Sequence, residues 1–154
     1  MKILIQRVRS ASVTIDNEVF SSINEGILAL VGIEKGDTKE QAEKLAKKVV
    51  NLRIFSDEND KMNLSVADIK GEMLIVSQFT LCGDCKKGTR PSFDKSAPSE
   101  IANELYEYFV SLVKSMGIKT QTGKFGSMMQ VSLINNGPVT FMLEERNKTS
   151  DYQV

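Results

Sequence analysis

Two apolar runs set the tightest limit on this fold. "EMLIVSQFTL", Glu72 to Leu81, carries the strongest strand signal in the chain, and "GILALVGI", Gly26 to Ile33, is apolar almost throughout. A continuous run of this kind suits a strand buried on both faces, not one with an alternating wet side. The sheet that holds such a strand needs cover on each side.

Helices supply part of that cover. The segment after Asp37 opens like a capping box, with Glu40 three residues on, and lines up Ala42, Leu45, Ala46, Val49 and Leu52 on one face. Lys39, Lys44, Lys47 and Lys48 fall mainly on the opposite face, a solvated surface. A second helix is predicted from about Pro98 to Met116. Ile101, Leu105, Tyr108, Phe109, Leu112, Val113 and Met116 form its stripe, and Gly117 stops it.

The remaining periodic segments read as strands. "MKILIQRVRSASVTID" gives one strand to about Arg9, a break at Ser10-Ala11 and another from Ser12 to Ile15, with Asp16-Asn17 turning into "EVFSSI". "IKTQTG", "MMQVSLI" and Val139 to Leu143 follow the second helix. The order of strands, helix, strand, helix, strands predicts an α+β fold of mainly antiparallel sheets, with no β-α-β alternation. Two helices cover only part of so much sheet. A barrel-like body, or a sheet buried against a second subunit, is therefore expected.

At 154 residues the chain is read as one domain over 1–143, followed by a polar tail over 144–154 that is expected to fray. "MKILIQRV" holds too few apolar residues for a signal or membrane segment, so a cytoplasmic protein without membrane association is expected. Lys plus Arg and Asp plus Glu balance at 20 each, so a nucleic-acid partner has to be met locally. There is no histidine, which excludes Ser-His-Asp, Cys-His and His-metal chemistry together.

The loop "CGDCKKGTRPSFDKSAP" holds the sharpest motif, a C-x-x-C at Cys82 and Cys85. Two thiols are half of a tetrahedral zinc site, and the loop does not open a helix that would lower a thiol pKa. Incidental thiols are the first reading and redox chemistry the second, with no metal or cofactor expected. Neither phosphate-loop pattern is present. Lys86, Lys87 and Arg90 nevertheless make a small basic patch suited to a few phosphate contacts.

"SQFTL" places Ser77, Gln78, Phe79 and Thr80 at the end of an apolar strand. Such polar groups are either satisfied locally or face a pocket with their backbone N–H groups and the Thr80 hydroxyl. No histidine or lysine stands beside Thr80 in sequence to activate it as a nucleophile. "VSLINNGPVTF" interrupts strand-like sequence with Asn-Asn-Gly-Pro, which reads as a hairpin turn or as a rigid backbone surface. Pro138 cannot donate to a ladder and Gly137 has no side chain.

"QRVRSASVTID", "SQFTL" with "GDCKKGTRPSFDK", "TGKFGSMMQVSL" and "NNGPVT", in this order, closely resemble the D-aminoacyl-tRNA deacylase family from Met1 to about Leu143. The resemblance implies a homodimer that hydrolyses the ester of D-aminoacyl-tRNA, and of glycyl-tRNA, including glycine mischarged on tRNA(Ala). It implies that Gly137-Pro138, as a Gly-cisPro pair, enters the partner subunit's pocket and rejects L-amino acids with its carbonyls. It further implies that Arg7 holds that pair, that Ser77, Gln78, Phe79 and Thr80 line the reaction centre, and that Met129 is pocket wall. Lys86, Lys87 and Arg90 would contact tRNA phosphates. Asn136 stands where an acidic residue is common in the family. A thiol-redox protein and a non-catalytic RNA- or nucleotide-binding dimer are the competing classes.

Overall fold

The computed structural model describes residues 1–148. Strands β1 (Lys2–Ile15), β2 (Glu18–Ile23) and β3 (Gly26–Gly32) precede helix α1 (Lys39–Asn51). A small hairpin, β4 (Phe55–Ser56) and β5 (Met62–Leu64), leads to β6 (Glu72–Ser77) and a 3-10 turn over Phe79–Cys82. Helix α2 (Ser99–Ser115), β7 (Lys119–Thr122) and β8 (Gln130–Glu144) complete the chain.

β1 is long enough to serve three neighbours. Its residues Lys2 to Val8 pair with β3, Ala11 to Ile15 with β2, and its other edge with β8, all antiparallel. The sheet then continues from β3 to β6 to β7 in parallel. β2 and β7 approach each other where the Ser21 hydroxyl donates to the Thr122 carbonyl at 2.7 Å, so the sheet is a nearly closed barrel.

The fold is α+β and most of its pairings are antiparallel, but the exclusion of β-α-β units does not hold. β3–α1–β6 and β6–α2–β7 are both parallel crossovers. β3 and β6 are the two strands with unbroken apolar runs, the composition of parallel strands covered on both faces. The strands crowded ahead of α1 concealed this arrangement.

β1, β3 and β6 divide their residues between two cores. Ile27, Ala29 and Val31 of β3, with Met73 and Ile75 of β6, lie under Leu45, Val49, Leu105 and Phe109 of the helices. Their alternates Leu28, Leu74 and Val76 fill the barrel interior with Val8, Val13 and Ile23. β1 passes from one core to the other: Ile3 and Ile5 face the helices, and Val8, Ala11 and Val13 face inward. A register shift between Val8 and Ser10 makes that change of parity. The break expected at Ser10-Ala11 is thus an irregularity within one continuous strand.

The start of α1 is also displaced by one residue. Thr38 is the N-cap, its hydroxyl accepting from the Glu40 N–H at 3.3 Å while Gln41 Oε1 accepts from the Thr38 N–H at 2.7 Å. Asp37 is drawn away to the Met1 amine at 2.7 Å and the Glu34 N–H at 2.7 Å, and burial raises its pKa above the usual carboxylate range.

The expected fraying does not begin at Glu144, which is the last residue of β8 and pairs with Lys2. The following Glu145 N–H donates to the Met1 carbonyl at 3.0 Å. Residues 149–154 of the predicted tail lie outside the described residues. Among the described residues no helix is long and apolar enough to cross a membrane.

Candidate active site

The C-terminal end of β6 builds the site. The Gln78 N–H donates to the Val31 carbonyl at 2.8 Å, extending the parallel ladder one residue beyond Ser77. The chain then tightens into the 3-10 turn, with the Leu81 N–H on the Gln78 carbonyl at 3.2 Å and the Gly83 N–H on the Thr80 carbonyl at 3.0 Å. The first N–H groups of such a turn have no acceptor inside it, and here they belong to Phe79 and Thr80. Of the backbone N–H groups in this segment, that of Gln78 is therefore taken up by the β3 ladder, and those without an acceptor in the turn start at Phe79.

Beside the turn lies a cavity of about 640 Å³, lined by Ser77, Gln78, Phe79, Thr80 and Met129. Ile33, Val76 and Val131 form its apolar floor, and Ala97, Ser99, Ala102 and Phe125 come from the start of α2 and the loop after β7. None of its lining residues is ionisable. The site therefore offers oriented N–H groups, hydroxyls and an amide, with no side-chain base. Gln78 Nε2 donates to the Thr80 hydroxyl, which keeps its own proton to donate. Without a base, Thr80 is suited to orienting a reactant more than to attacking one.

Arg7, Gly137 and Pro138 do not line this cavity. They form a second feature on β1 and β8, where the hairpin reading fails: the strands on both sides of Asn-Asn-Gly-Pro pair with the same strand. Val8 faces Asn135 and Gln6 faces Thr140, so residues 136–139 stand opposite Arg7 alone and are pushed out as a wide bulge. The Gly137-Pro138 peptide bond is cis, and both residues are exposed.

Two side chains hold the bulge, Arg7 and Asn135. Arg7 Nε donates to the Asn136 carbonyl and its Nη1 to the Ile54 carbonyl, each at 2.7 Å. Asn135 closes the base: its Oδ1 accepts from the Val139 N–H at 2.9 Å and its Nδ2 donates to the Val139 carbonyl at 3.1 Å. Neither Asn135 nor Ile54 was singled out from sequence. The Asn-Gly pair looked like turn chemistry, and the Ile54 contact comes from a segment remote in the chain.

The basic residues occupy a third position. Asp84 and Ser92 exchange both backbone bonds, at 2.7 and 2.9 Å, and close the loop so that Lys86, Lys87 and Arg90 project from its exposed tip. The cysteines differ sharply. Cys82 is 1% exposed, donates to the Ile33 carbonyl at 3.4 Å, and is pushed up to about 11 chiefly by burial; Cys85 is exposed. A thiol in the first state is a poor nucleophile at neutral pH. Among the described residues no cluster of acidic, cysteine or histidine side chains is arranged to hold a metal.

The sequence model of the D-Tyr-tRNA(Tyr) deacylase family matches residues 4–144, which includes every one of these features. The chain belongs to that family. As a D-Tyr-tRNA(Tyr) deacylase family member it is 56% identical over 146 residues to a D-aminoacyl-tRNA deacylase of Desulfatibacillum aliphaticivorans, covering 95% of this chain and 100% of the relative. A D-aminoacyl-tRNA deacylase of Geotalea daltonii is 58% identical over 144 residues, 94% of this chain and 96% of its own. Among solved structures, a protein named c-Myc DNA Unwinding Element Binding Protein superposes with a TM-score of 0.90 at 41% identity, covering 96% of this chain and 100% of that one. A probable eukaryotic D-amino acid tRNA deacylase shares the fold at a TM-score of 0.79 and 16% identity, with 92% and 97% covered.

Phe125, Ala102 and Ser99 were not named from sequence as cavity residues. Phe125 had a signal, since it stands in the same "TGKFGSMMQVSL" stretch that carries Met129. Ala102 and Ser99 had none. They reach the cavity because the Ala97 N–H pairs with the Ile33 carbonyl at 3.0 Å and brings the start of α2 back against β3.

Proposed function

We propose that this protein hydrolyses the ester of D-aminoacyl-tRNA, releasing the free D-amino acid and tRNA, and that it is thereby a deacylase of the family to which it belongs. The observation that carries the reading is the cavity without an ionisable lining beside the free N–H groups of Phe79 and Thr80. An aminoacyl ester is already activated, so a barrier reduction of about 4 kcal/mol, roughly a thousandfold in rate, achieves much. Two preorganised N–H donors aimed at a tetrahedral oxyanion supply about that amount. In this scheme water attacks with help from the terminal ribose 2′-hydroxyl of the tRNA, and Thr80 positions the ester.

Discrimination against L-amino acids falls to the Gly137-Pro138 bulge of a second copy, seated in the cavity with its carbonyls toward the substrate. The bulge does not line the cavity of its own chain, which favours a cross-subunit site in a homodimer. β8 is also an edge strand along which Leu133, Ile134, Phe141 and Met142 are exposed, apolar side chains suited to a second copy. Glycyl-tRNA, having no side chain to exclude, passes the same filter. Lys86, Lys87 and Arg90 meet tRNA phosphates.

Incubation with matched D- and L-aminoacyl-tRNA, following ester loss, tests the reading. Rapid loss of the D-form with the L-form spared is expected, and substitution of the terminal ribose by its 2′-deoxy form nearly abolishes turnover. Rapid loss of the L-form refutes the filter. Binding of charged tRNA with the ester left intact would favour a non-catalytic nucleic-acid-binding dimer, the class suggested by the name of the 41% identical structural relative. Loss of activity on alkylation of the exposed Cys85 alone would favour redox chemistry.

A further inference from the structure

The C-terminal end of β3 touches both walls of the cavity. Three consecutive residues make the contacts. The Val31 carbonyl receives the Gln78 N–H at 2.8 Å, fixing where β6 ends. A Cβ on Gly32 would lie 3.0 Å from Leu81 Cβ, 3.2 Å from Cys82 Sγ and 3.2 Å from the Gln78 carbonyl oxygen, so the 3-10 turn rests directly on the bare Cα. The Ile33 carbonyl accepts two donors: the Ala97 N–H at 3.0 Å, from the strand-like segment that enters α2, and Cys82 Sγ at 3.4 Å, from the turn.

We infer that Gly32 and Cys82 are positioning residues for the deacylation centre, setting the height of the 3-10 turn on β3 and hence the aim of the Phe79 and Thr80 N–H groups. The thiol bond is weak. Close packing carries most of the effect, since Cys82 is 1% exposed and the turn has no room to sink. This gives the otherwise idle half of the C-x-x-C motif a task that needs neither redox chemistry nor metal.

The inference rests on the proposed deacylase reading for its kinetic consequence but not for its structural one. In Gly32→Ala the turn must lift by a few tenths of an ångström to restore ordinary contacts. A 1 Å misplacement costs about a hundredfold, so kcat is expected to fall about tenfold, with KM within about twofold of wild type. The amide resonances of Phe79 and Thr80 are expected to move in a two-dimensional spectrum while those of β8 stay in place. Cys82→Ala, which adds no bulk and covers the case in which Gly32→Ala does not fold, is expected to lower kcat about threefold and move the same resonances. Cys85→Ala, at an exposed thiol, leaves both readouts unchanged.

A kcat within twofold of wild type in both variants, or unmoved Phe79 and Thr80 resonances, overturns the inference. A rise in KM with kcat unchanged does so as well, since that is a binding defect. A wild-type chain that fails to cleave D-aminoacyl-tRNA refutes the proposed function alone, and the resonances still test the positioning.

Discussion

Gly137→Ala is the most informative single substitution in the bulge. A methyl there would lie 2.2 Å from the Val139 backbone nitrogen, 2.7 Å from Val139 Cγ2 and 3.1 Å from Val139 Cα. Ordinary contacts begin near 3.4 Å, so relief requires roughly 1 Å of backbone movement within the bulge. The effect therefore arises inside the loop itself, before any substrate is considered. The movement has to occur against Asn135, which holds Val139 by both its N–H and its carbonyl, and against Arg7, which holds the Asn136 carbonyl. A 1 Å displacement of groups that define a substrate pocket costs about a hundredfold in rate. Val139 is buried but Gly137 and Pro138 are exposed, so the strain is relieved by moving that pair outward, and the stability loss is expected to stay near the lower end of overpacking costs, about 1 kcal/mol. Single-turnover cleavage of D-aminoacyl-tRNA, with the thermal midpoint measured alongside, checks both parts. Wild-type cleavage and unchanged rejection of the L-form would refute the argument that this backbone is the selective surface.

Arg7→Met removes two charge-assisted bonds to backbone carbonyls and is expected to cost about 2 kcal/mol. By thermal melting that is roughly 4–8 °C, accompanied by loss of L-discrimination. Glu72 accepts from Lys119 Nζ at 2.8 Å and from the Asn24 N–H at 2.6 Å, which holds its carboxyl below the usual range, the lysine bond being the larger cause. A depressed folded pKa gives stability that is present above the ordinary glutamate value of about 4.3 and is lost as pH falls through the lower folded one. The midpoint difference between wild type and Glu72→Gln is thus expected to be full at neutral pH and to shrink as pH falls below the ordinary glutamate value and through the lower folded one. Replacing Lys86, Lys87 and Arg90 by alanine is expected to flatten the salt dependence of tRNA binding by about two to three units of log–log slope, measured by titration at several salt concentrations.

What could be read from sequence follows how local each cause is. The buried strands were legible because β3 and β6 carry unbroken apolar runs, and α2 because its stripe and Gly117 lie within one segment. The start of α1 was missed by one residue because a group 36 positions away claims Asp37. The bulge was missed for a stronger version of the same reason. Asn-Asn-Gly-Pro is turn chemistry by composition, and only the pairing of both its flanks with β1 makes it a bulge. Likewise the Gln78 N–H is withdrawn from the site by Val31, a neighbour known only once β3 and β6 are seen to be parallel. The polar groups that line the cavity beside the turn were visible in "SQFTL". Which of their N–H groups stay free depends on the sheet.

Separation of the bulge from the cavity makes a claim about assembly that can be tested without a structure of the assembly. Two variants are needed, each defective in one half of the site. Gly137→Ala spoils the bulge. Phe79→Pro deletes one of the two free N–H groups at the first position of the 3-10 turn, where proline is well tolerated. The lost ring is 55% exposed and stacks only edge-on against Phe93 at 5.1 Å, so folding is little affected, and Phe79→Ala, which keeps the N–H, serves as control. Each homodimer alone is expected to be nearly inactive. In a mixed dimer, the intact cavity of one chain receives the intact bulge of the other, while the second site receives both defects. Random one-to-one pairing in a two-fold dimer then restores about a quarter of wild-type activity. If each chain's bulge instead served its own cavity, every site in the mixture would carry one defect and no activity would return. Co-expression with distinct affinity tags, followed by tandem purification, isolates the mixed species and raises the expected recovery to about half.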